Sequence, residues 1–111
     1  MIKVISVFRR KKGMSVEDFQ AYWLNVHAPI VKKIPGVCGY IQNHTILSGY
    51  KKADPAVDGV AELSFESTDA LREIANTQEI LATRQDHQEF IEPDSYKEIV
   101  TEDVVIKDGV I

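Results

Sequence analysis

The stretch SVEDFQAYWLNVHAPIVKKIPGVCGYIQNH, from Ser15 to His44, carries the clearest structural signals in the chain. Ser15 followed by Asp18 places a side-chain acceptor and an acid ahead of an apolar periodic run, which is typical of a helix N-terminus. The pattern therefore predicts a helix that begins near Val16 and reaches about Ile34.

Four apolar residues of this helix recur at spacings of three and four, so they share a face that must be buried. These residues are Phe19, Trp23, Val26 and Ile30. His27 falls at the edge of that face, roughly 70° from its centre at about 100° per residue. Pro29 lacks an N–H and disfavours helical geometry before it, so the helix should kink or restart just after His27. A polar side chain beside such a break is either a cap or part of a site.

Outside this stretch, β-branched and aromatic residues alternate in short runs that are typical of strands. The predicted strands are Ile2–Phe8, Val37–Leu47, Gly59–Phe65 and Glu98–Ile106. Ser67 or Thr68 is expected to cap a second helix from Asp69, with an interruption at Asn76–Thr77 and a second helical piece from Glu79 to Arg84. The order is that of a ferredoxin-like α+β fold, βαββαβ, with a four-stranded antiparallel sheet in one domain, residues 1–111.

Two segments between these elements are read as exposed. Gly49–Val57 combines Gly, Pro and Asp without periodicity, and we predict a mobile loop at the rim of a pocket. The basic run Arg9–Lys12 is interpreted as a solvated turn.

The composition excludes several classes of protein. A chain of 111 residues, 44% apolar and 27% charged, is typical of one globular domain. Its net charge of −4 argues against nucleic acid as a partner, since phosphates require a clustered basic surface. No apolar run approaches the roughly 20 residues of a membrane span. The lone Cys38 and the absence of a signal-peptide pattern favour a cytoplasmic protein.

Apolar residues also suggest a second sheet face that two helices cannot cover. The residues in question are Tyr40, Ile46, Val60, Val104 and Ile106. Two sheets packed face to face would bury this surface and enclose a cavity, so we expect a homodimer.

Three segments resemble the EthD family of small dimeric α/β-barrel proteins. They are MSVEDFQAYWLNVHAPIVKKIPGVCGYIQNH from Met14, DGVAELSFES from Asp58 and VTEDVVI from Val100. The W-x-x-x-H-A-P element, followed by P-G and Y-x-Q-N-H, carries most of the likeness. The resemblance implies a dimeric barrel, and the wider superfamily includes polyketide cyclases, dehydratases, muconolactone-type isomerases and small monooxygenases. Many of these work without a metal or an organic cofactor.

Three residues are the candidate catalytic groups. From the residues alone, His27 is equally a helix-end cap, and Tyr40 and His44 are equally a polar sheet surface about 13 Å apart. The resemblance implies instead that all three face the pocket. We expect Trp23, Gln42 and Glu62 to bind substrate, with Glu62 also a partner that fixes the tautomer of a histidine.

No metal site is predicted, because the three histidines are spaced 17 and 43 residues apart without the local pairing of zinc ligands. His87, among charged residues in an interrupted helical region, is expected to be exposed.

The favoured function is therefore cofactor-independent acid–base chemistry on an aromatic, lactone or polyketide-like carbonyl compound. Isomerisation, cyclisation, dehydration and related lyase reactions all fit a His–Tyr pair. One alternative is a non-catalytic metabolite-binding or accessory protein of an oxidative degradation pathway, and another is a cofactor-free monooxygenase.

Overall fold

The structure is a computed structural model and describes residues 1–109. The strands are β1 (Ile2–Phe8), β2 (Gly39–His44), β3 (Gly59–Phe65) and β4 (Lys97–Glu102). The helices are α1 (Val16–Tyr22), α2 (Ala28–Val31), α3 (Thr68–Glu73) and α4 (Gln78–Asp86). A π-helical turn, Trp23–His27, joins α1 to α2, and 3-10 turns lie at Leu47–Lys51, His87–Glu89 and Pro93–Ser95. None of the helices described in this range is long and apolar enough to cross a membrane.

The four strands form one antiparallel sheet in the order β2-β3-β1-β4, which confirms the predicted ferredoxin-like α+β fold. The predicted caps are also confirmed. The Ser15 side chain accepts a hydrogen bond from the Asp18 N–H, and the Ser67 side chain accepts one from the Ala70 N–H. Each cap satisfies a backbone donor that the first turn of a helix leaves unpaired.

The π-helical turn changes which face of the first helix is buried. The Ala28 N–H donates to the Trp23 carbonyl five residues earlier, so the turn holds one more residue than a regular one. The buried face therefore passes from Trp23 to His27 and Val31, which are 4% and 3% exposed. Val26 is 44% exposed, so the prediction that it is buried is wrong. The predicted restart after His27 is confirmed.

Two predicted strands are too long. β2 ends at His44, where the Thr45 hydroxyl donates to the Val57 and Asp58 carbonyls and turns the chain. β4 ends at Glu102, which pairs with the first residue of β1. No partner strand remains beyond that point, and residues 104–106 lie exposed outside the sheet.

The segment from Gly49 to Val57 makes hydrogen bonds to neighbouring segments, and its mobility stays a prediction. The Arg9 guanidinium donates to the Pro55 and Ala56 carbonyls, and the Tyr50 hydroxyl donates to the fully buried Asp58. Asp58 also pairs with the Arg10 guanidinium at 2.8 Å. The first half of the basic run therefore holds this segment in place rather than forming a solvated turn.

The two faces of the sheet have different surroundings. One packs against the helices, through Phe8 and Trp23 in one core cluster and Phe65 and Val31 in another. The other, the open face, is left uncovered by the chain. By the strand register its apolar members are Ile5, Val7, Ile41, Val60 and Ile99.

Of the residues expected on a second apolar face, only Val60 lies on the open face. Tyr40 is on the helix side with its neighbour Leu63, and Ile46, Val104 and Ile106 lie outside the strands.

Candidate functional site

A cavity of about 340 Å³ lies between the sheet and the helices, among side chains of the two core clusters. Its wall is mostly apolar. The polar residues that line it are Ser6, His27, Tyr40, Thr83, His87 and Tyr96, together with the charged residues Arg72, Arg84 and Glu98. The sequence predicts a cavity between two facing sheets. The cavity in the structure instead lies within one chain, on the helix side of the sheet. An apolar pocket with a few convergent polar groups is the usual form of a small-molecule site.

His27 is fixed by a carboxylate. Its Nδ1 lies 2.8 Å from Oδ2 of Asp86, and the Tyr22 hydroxyl donates to the other oxygen of the same carboxylate at 2.6 Å. Because a carboxylate accepts hydrogen bonds, the Nδ1 atom carries the hydrogen. The Nε2 atom is then the nitrogen left for a molecule in the cavity.

The protonation state of His27 follows from its surroundings. Burial lowers the pKa of His27, and the hydrogen bond and charge of Asp86 oppose this shift without reversing it. His27 is therefore neutral near pH 7, with a lone pair on Nε2. A neutral imidazole that a carboxylate orients is suited to act as a general base.

His87 is a second imidazole in the same wall. Its ring centroid lies 5.4 Å from that of His27 and 4.6 Å from that of Tyr96. Burial is the main cause that lowers the pKa of His87 to about 4, and His27 and Arg84 add to the effect. The expectation that His87 is exposed is therefore wrong.

Two tyrosines provide neutral hydroxyl groups in the cavity. Burial raises the pKa of Tyr40, and hydrogen bonds from Gln42 and Trp23 oppose the rise. Burial also raises the pKa of Tyr96 to about 12, with a hydrogen bond to Glu98 as the next cause. Both phenols are protonated near pH 7. The Tyr96 hydroxyl donates its hydrogen to Glu98 at 2.8 Å, so Tyr40 is the phenol able to donate a hydrogen bond to a ligand oxygen.

The structure brings Trp23, His27 and Tyr40 to the cavity wall, but not Gln42 and His44. The His44 ring stacks on the Trp23 indole at 4.5 Å, and its Nε2 is 2.8 Å from the Gln42 side-chain oxygen. These two residues therefore support the wall from behind rather than line it.

Glu62 lies on the open face, on the other side of the sheet. There it contacts the Lys3 amino group at 3.4 Å and accepts a hydrogen bond from the Asn43 amide. The expectation that Glu62 fixes a histidine is wrong, because Asp86 is the partner of His27. No group of three or more His, Cys, Asp or Glu side chains within residues 1–109 is placed to hold a metal ion.

The sequence interpretation missed Asp86, His87 and Tyr96. The first two follow one another where α4 passes into the 3-10 turn His87–Glu89. Phe90 and Ile91 come three and four residues after His87 and are fully buried, so a helical continuation places all three on one side. That spacing is the signal that could have identified His87.

Residues 11–94 of the chain match the family model of the EthD domain. The chain belongs to the EthD domain family. No curated protein matches this EthD domain. An EthD family protein from Bacillus halodurans C-125 has a similar structure, with a TM-score of 0.77, 20% identity, and 94% of this chain and 99% of that chain covered.

Two further solved structures share the fold of this EthD domain. SnoaB from Streptomyces nogalater, described as a cofactor-independent oxygenase, has a TM-score of 0.66 at 12% identity, covering 96% of this chain and 97% of that chain. A dimeric protein of unknown function from Bacteroides fragilis has a TM-score of 0.66 at 17% identity, covering 91% and 94%. At these identities the likeness shows the fold alone.

Proposed function

We propose that this EthD domain is a cofactor-independent enzyme that moves a proton on a small, largely apolar carbonyl compound. The observation that carries the proposal is the His27–Asp86 pair at the wall of an apolar cavity. The cavity is large enough for a compact aromatic, lactone or polyketide-like molecule, since about 340 Å³ falls at the lower end of ligand pockets, roughly 300–1,000 Å³.

The proposed reaction begins with removal of a proton next to the carbonyl group. His27 Nε2 takes the proton, and the Asp86 carboxylate stabilises the imidazolium that forms. Tyr40 donates a hydrogen bond to the oxygen on which negative charge develops, which lowers the barrier to forming an enolate. The His27 imidazolium then returns the proton to another atom of the substrate, which leaves His27 neutral for the next turnover. Isomerisation, cyclisation, dehydration and related lyase reactions all share this first step.

The test is hydrogen exchange from solvent, which requires no knowledge of the final product. Carbonyl compounds with acidic C–H groups, including lactones and polyketide-like diketones, are incubated with the protein in D₂O and followed by NMR. We expect the wild-type protein to accelerate deuterium incorporation into at least one of them. His27→Gln should lower that rate by about 10²–10⁴, the usual contribution of a positioned proton-transfer group.

A matched control is Asn25→Ala, which changes an exposed side chain on the same π-helical turn and should keep the full rate. Equal rates for wild type and His27→Gln would overturn the proposed role of His27. Ligand binding without exchange would favour the metabolite-binding alternative. Consumption of O₂ would favour the monooxygenase alternative, to which the described activity of SnoaB draws attention.

We further propose that the open face is covered by a second copy of the chain. Across its centre the strand register places Ile5 beside Ile99 on one side and beside Glu62 on the other, and Ile41 lies beyond Glu62. Ile41 and Ile99 are both more than half exposed. Two similar folds, from Bacteroides fragilis and Thermobifida fusca, are described as dimeric. Burying these side chains against a second sheet would remove apolar surface from water.

A further inference from the structure

Three polar side chains along β2 form one hydrogen-bonded line behind the cavity wall. Tyr40, Gln42 and His44 alternate along the strand and so share its helix side. The Gln42 amide nitrogen lies 2.7 Å from the Tyr40 hydroxyl, and the Gln42 oxygen lies 2.8 Å from His44 Nε2. Only Tyr40 at one end of this line reaches the cavity.

The Trp23 carbonyl, in the π-helical turn, determines which groups donate and which accept along this line. The Gln42 amide nitrogen also lies 2.9 Å from the Trp23 carbonyl. A carbonyl only accepts, so the group facing it is the amide NH₂ and not the amide oxygen. The oxygen must then face His44, and His44 must present an N–H at Nε2.

The orientation of the Gln42 amide also determines the hydrogen bonding of the Tyr40 hydroxyl. One amide hydrogen of Gln42 bonds to the Trp23 carbonyl, so the other bonds to the phenol oxygen, which accepts it. The phenol hydrogen is left free for an acceptor in the cavity. A hydroxyl that accepts one hydrogen bond donates another more strongly, because the bonds polarise one another.

We propose that Gln42 and His44 are positioning residues that hold Tyr40 as a hydrogen-bond donor towards the cavity. The inference rests on the proposed function for its role in catalysis, but the network itself is testable without a substrate. It also restricts the ligand, because the group placed beside Tyr40 must be an acceptor such as a carbonyl oxygen. His44 does not contact the ligand and transfers no proton to it, contrary to the role expected from the sequence.

The first test uses the wild-type protein and ¹⁵N NMR of its histidines. We expect His44 to be a neutral ring with its hydrogen on Nε2. A His44 ring with its hydrogen on Nδ1 would overturn the network, since no hydrogen would then face the Gln42 oxygen.

The second test measures the acidity of Tyr40. The tyrosines are replaced by 3-fluorotyrosine, whose phenol is more acidic, and are titrated by ¹⁹F NMR, with Tyr40→Phe identifying the signal. Gln42→Met keeps the length of the side chain and removes its donor, so the pKa of Tyr40 should rise by roughly half a unit to one unit. An unchanged pKa in a folded Gln42→Met protein would contradict the proposal.

A matched pair separates the hydrogen bond of His44 from its packing. His44→Phe keeps a flat ring on the Trp23 indole but loses the N–H, and it should shift the Tyr40 signal in the direction of Gln42→Met. His44→Gln restores an N–H donor and should return the signal towards the wild type. Identical signals for the two variants would overturn the positioning role. None of these NMR measurements requires turnover. They can therefore refute the hydrogen-bond network independently of the proposed reaction.

Discussion

At the scale of single residues, His87 shows how burial changes a side chain that is read from sequence as exposed. Its pKa falls to about 4, from an ordinary value near 6.5, because the charged form is poorly solvated inside the cavity wall. The unfolded chain takes up a proton below pH 6.5, while the folded chain resists it until about pH 4. Stability is therefore lost as the pH falls through this window.

We predict that His87→Gln reduces the loss of stability between pH 7.5 and pH 4.5. The free energy of unfolding, measured with urea at each pH, should fall more in the wild type than in the variant, by roughly 1 to 3 kcal/mol over the window. A difference between the two proteins that stays constant with pH would contradict this account of His87.

At the scale of elements, the π-helical turn decides which side chains of the first helix are buried. The wide turn after Trp23 rotates the following residues, so that His27 and Val31 face the interior and Val26 faces solvent. A regular helix would have placed Val26 inside and His27 at the edge. The candidate base therefore owes its position in the cavity to this one turn.

Truncation of two valines tests the rotation. Val31→Ala removes methyl groups from the second core cluster and should cost about 1–3 kcal/mol of unfolding free energy, measured with urea. Val26→Ala, the matched change on the exposed side, should cost less than about 0.5 kcal/mol. A cost for Val26→Ala equal to or larger than that for Val31→Ala would contradict the rotation.

The elements themselves were largely predictable, because each depends on local signals. Ser15 and Ser67 cap helices through bonds to nearby N–H groups, and strand alternation is visible within a few residues. The π-helical turn was not predictable from the spacing of the apolar residues, because spacings of three and four fit a regular helix equally well. Pro29 indicated only that the helix would restart.

The candidate site was predictable only in part, because its partners come from distant segments. His27 and Tyr40 lie in one stretch with clear local signals, but Asp86 lies 59 residues from His27 and reaches it only through the packing of α4. Strand alternation places Glu62 on one of two sheet faces without saying which face the helices cover, so it predicts a pocket position that the structure does not show.

At the scale of the whole molecule, the open face leads to a prediction about assembly. Ile99→Lys places a charge on that face and should convert a dimer of two 12.5 kDa chains into monomers in sedimentation experiments. Leu24→Lys is the matched control, an equally exposed apolar residue on the helix side, and should leave the mass unchanged. A wild-type mass of one chain at micromolar concentration would refute the proposed dimer.

The central claim is that burial keeps His27 neutral and that Asp86 fixes its tautomer, with the hydrogen on Nδ1 and the lone pair on Nε2 towards the cavity. The most direct test is ¹⁵N NMR of the histidine rings at pH 7 in the wild-type protein, with Asp86→Ala identifying the effect of the carboxylate. We predict one neutral His27 tautomer, protonated on Nδ1, and loss of that preference in Asp86→Ala. A His27 ring that is positively charged, or protonated on Nε2 alone, would contradict the claim.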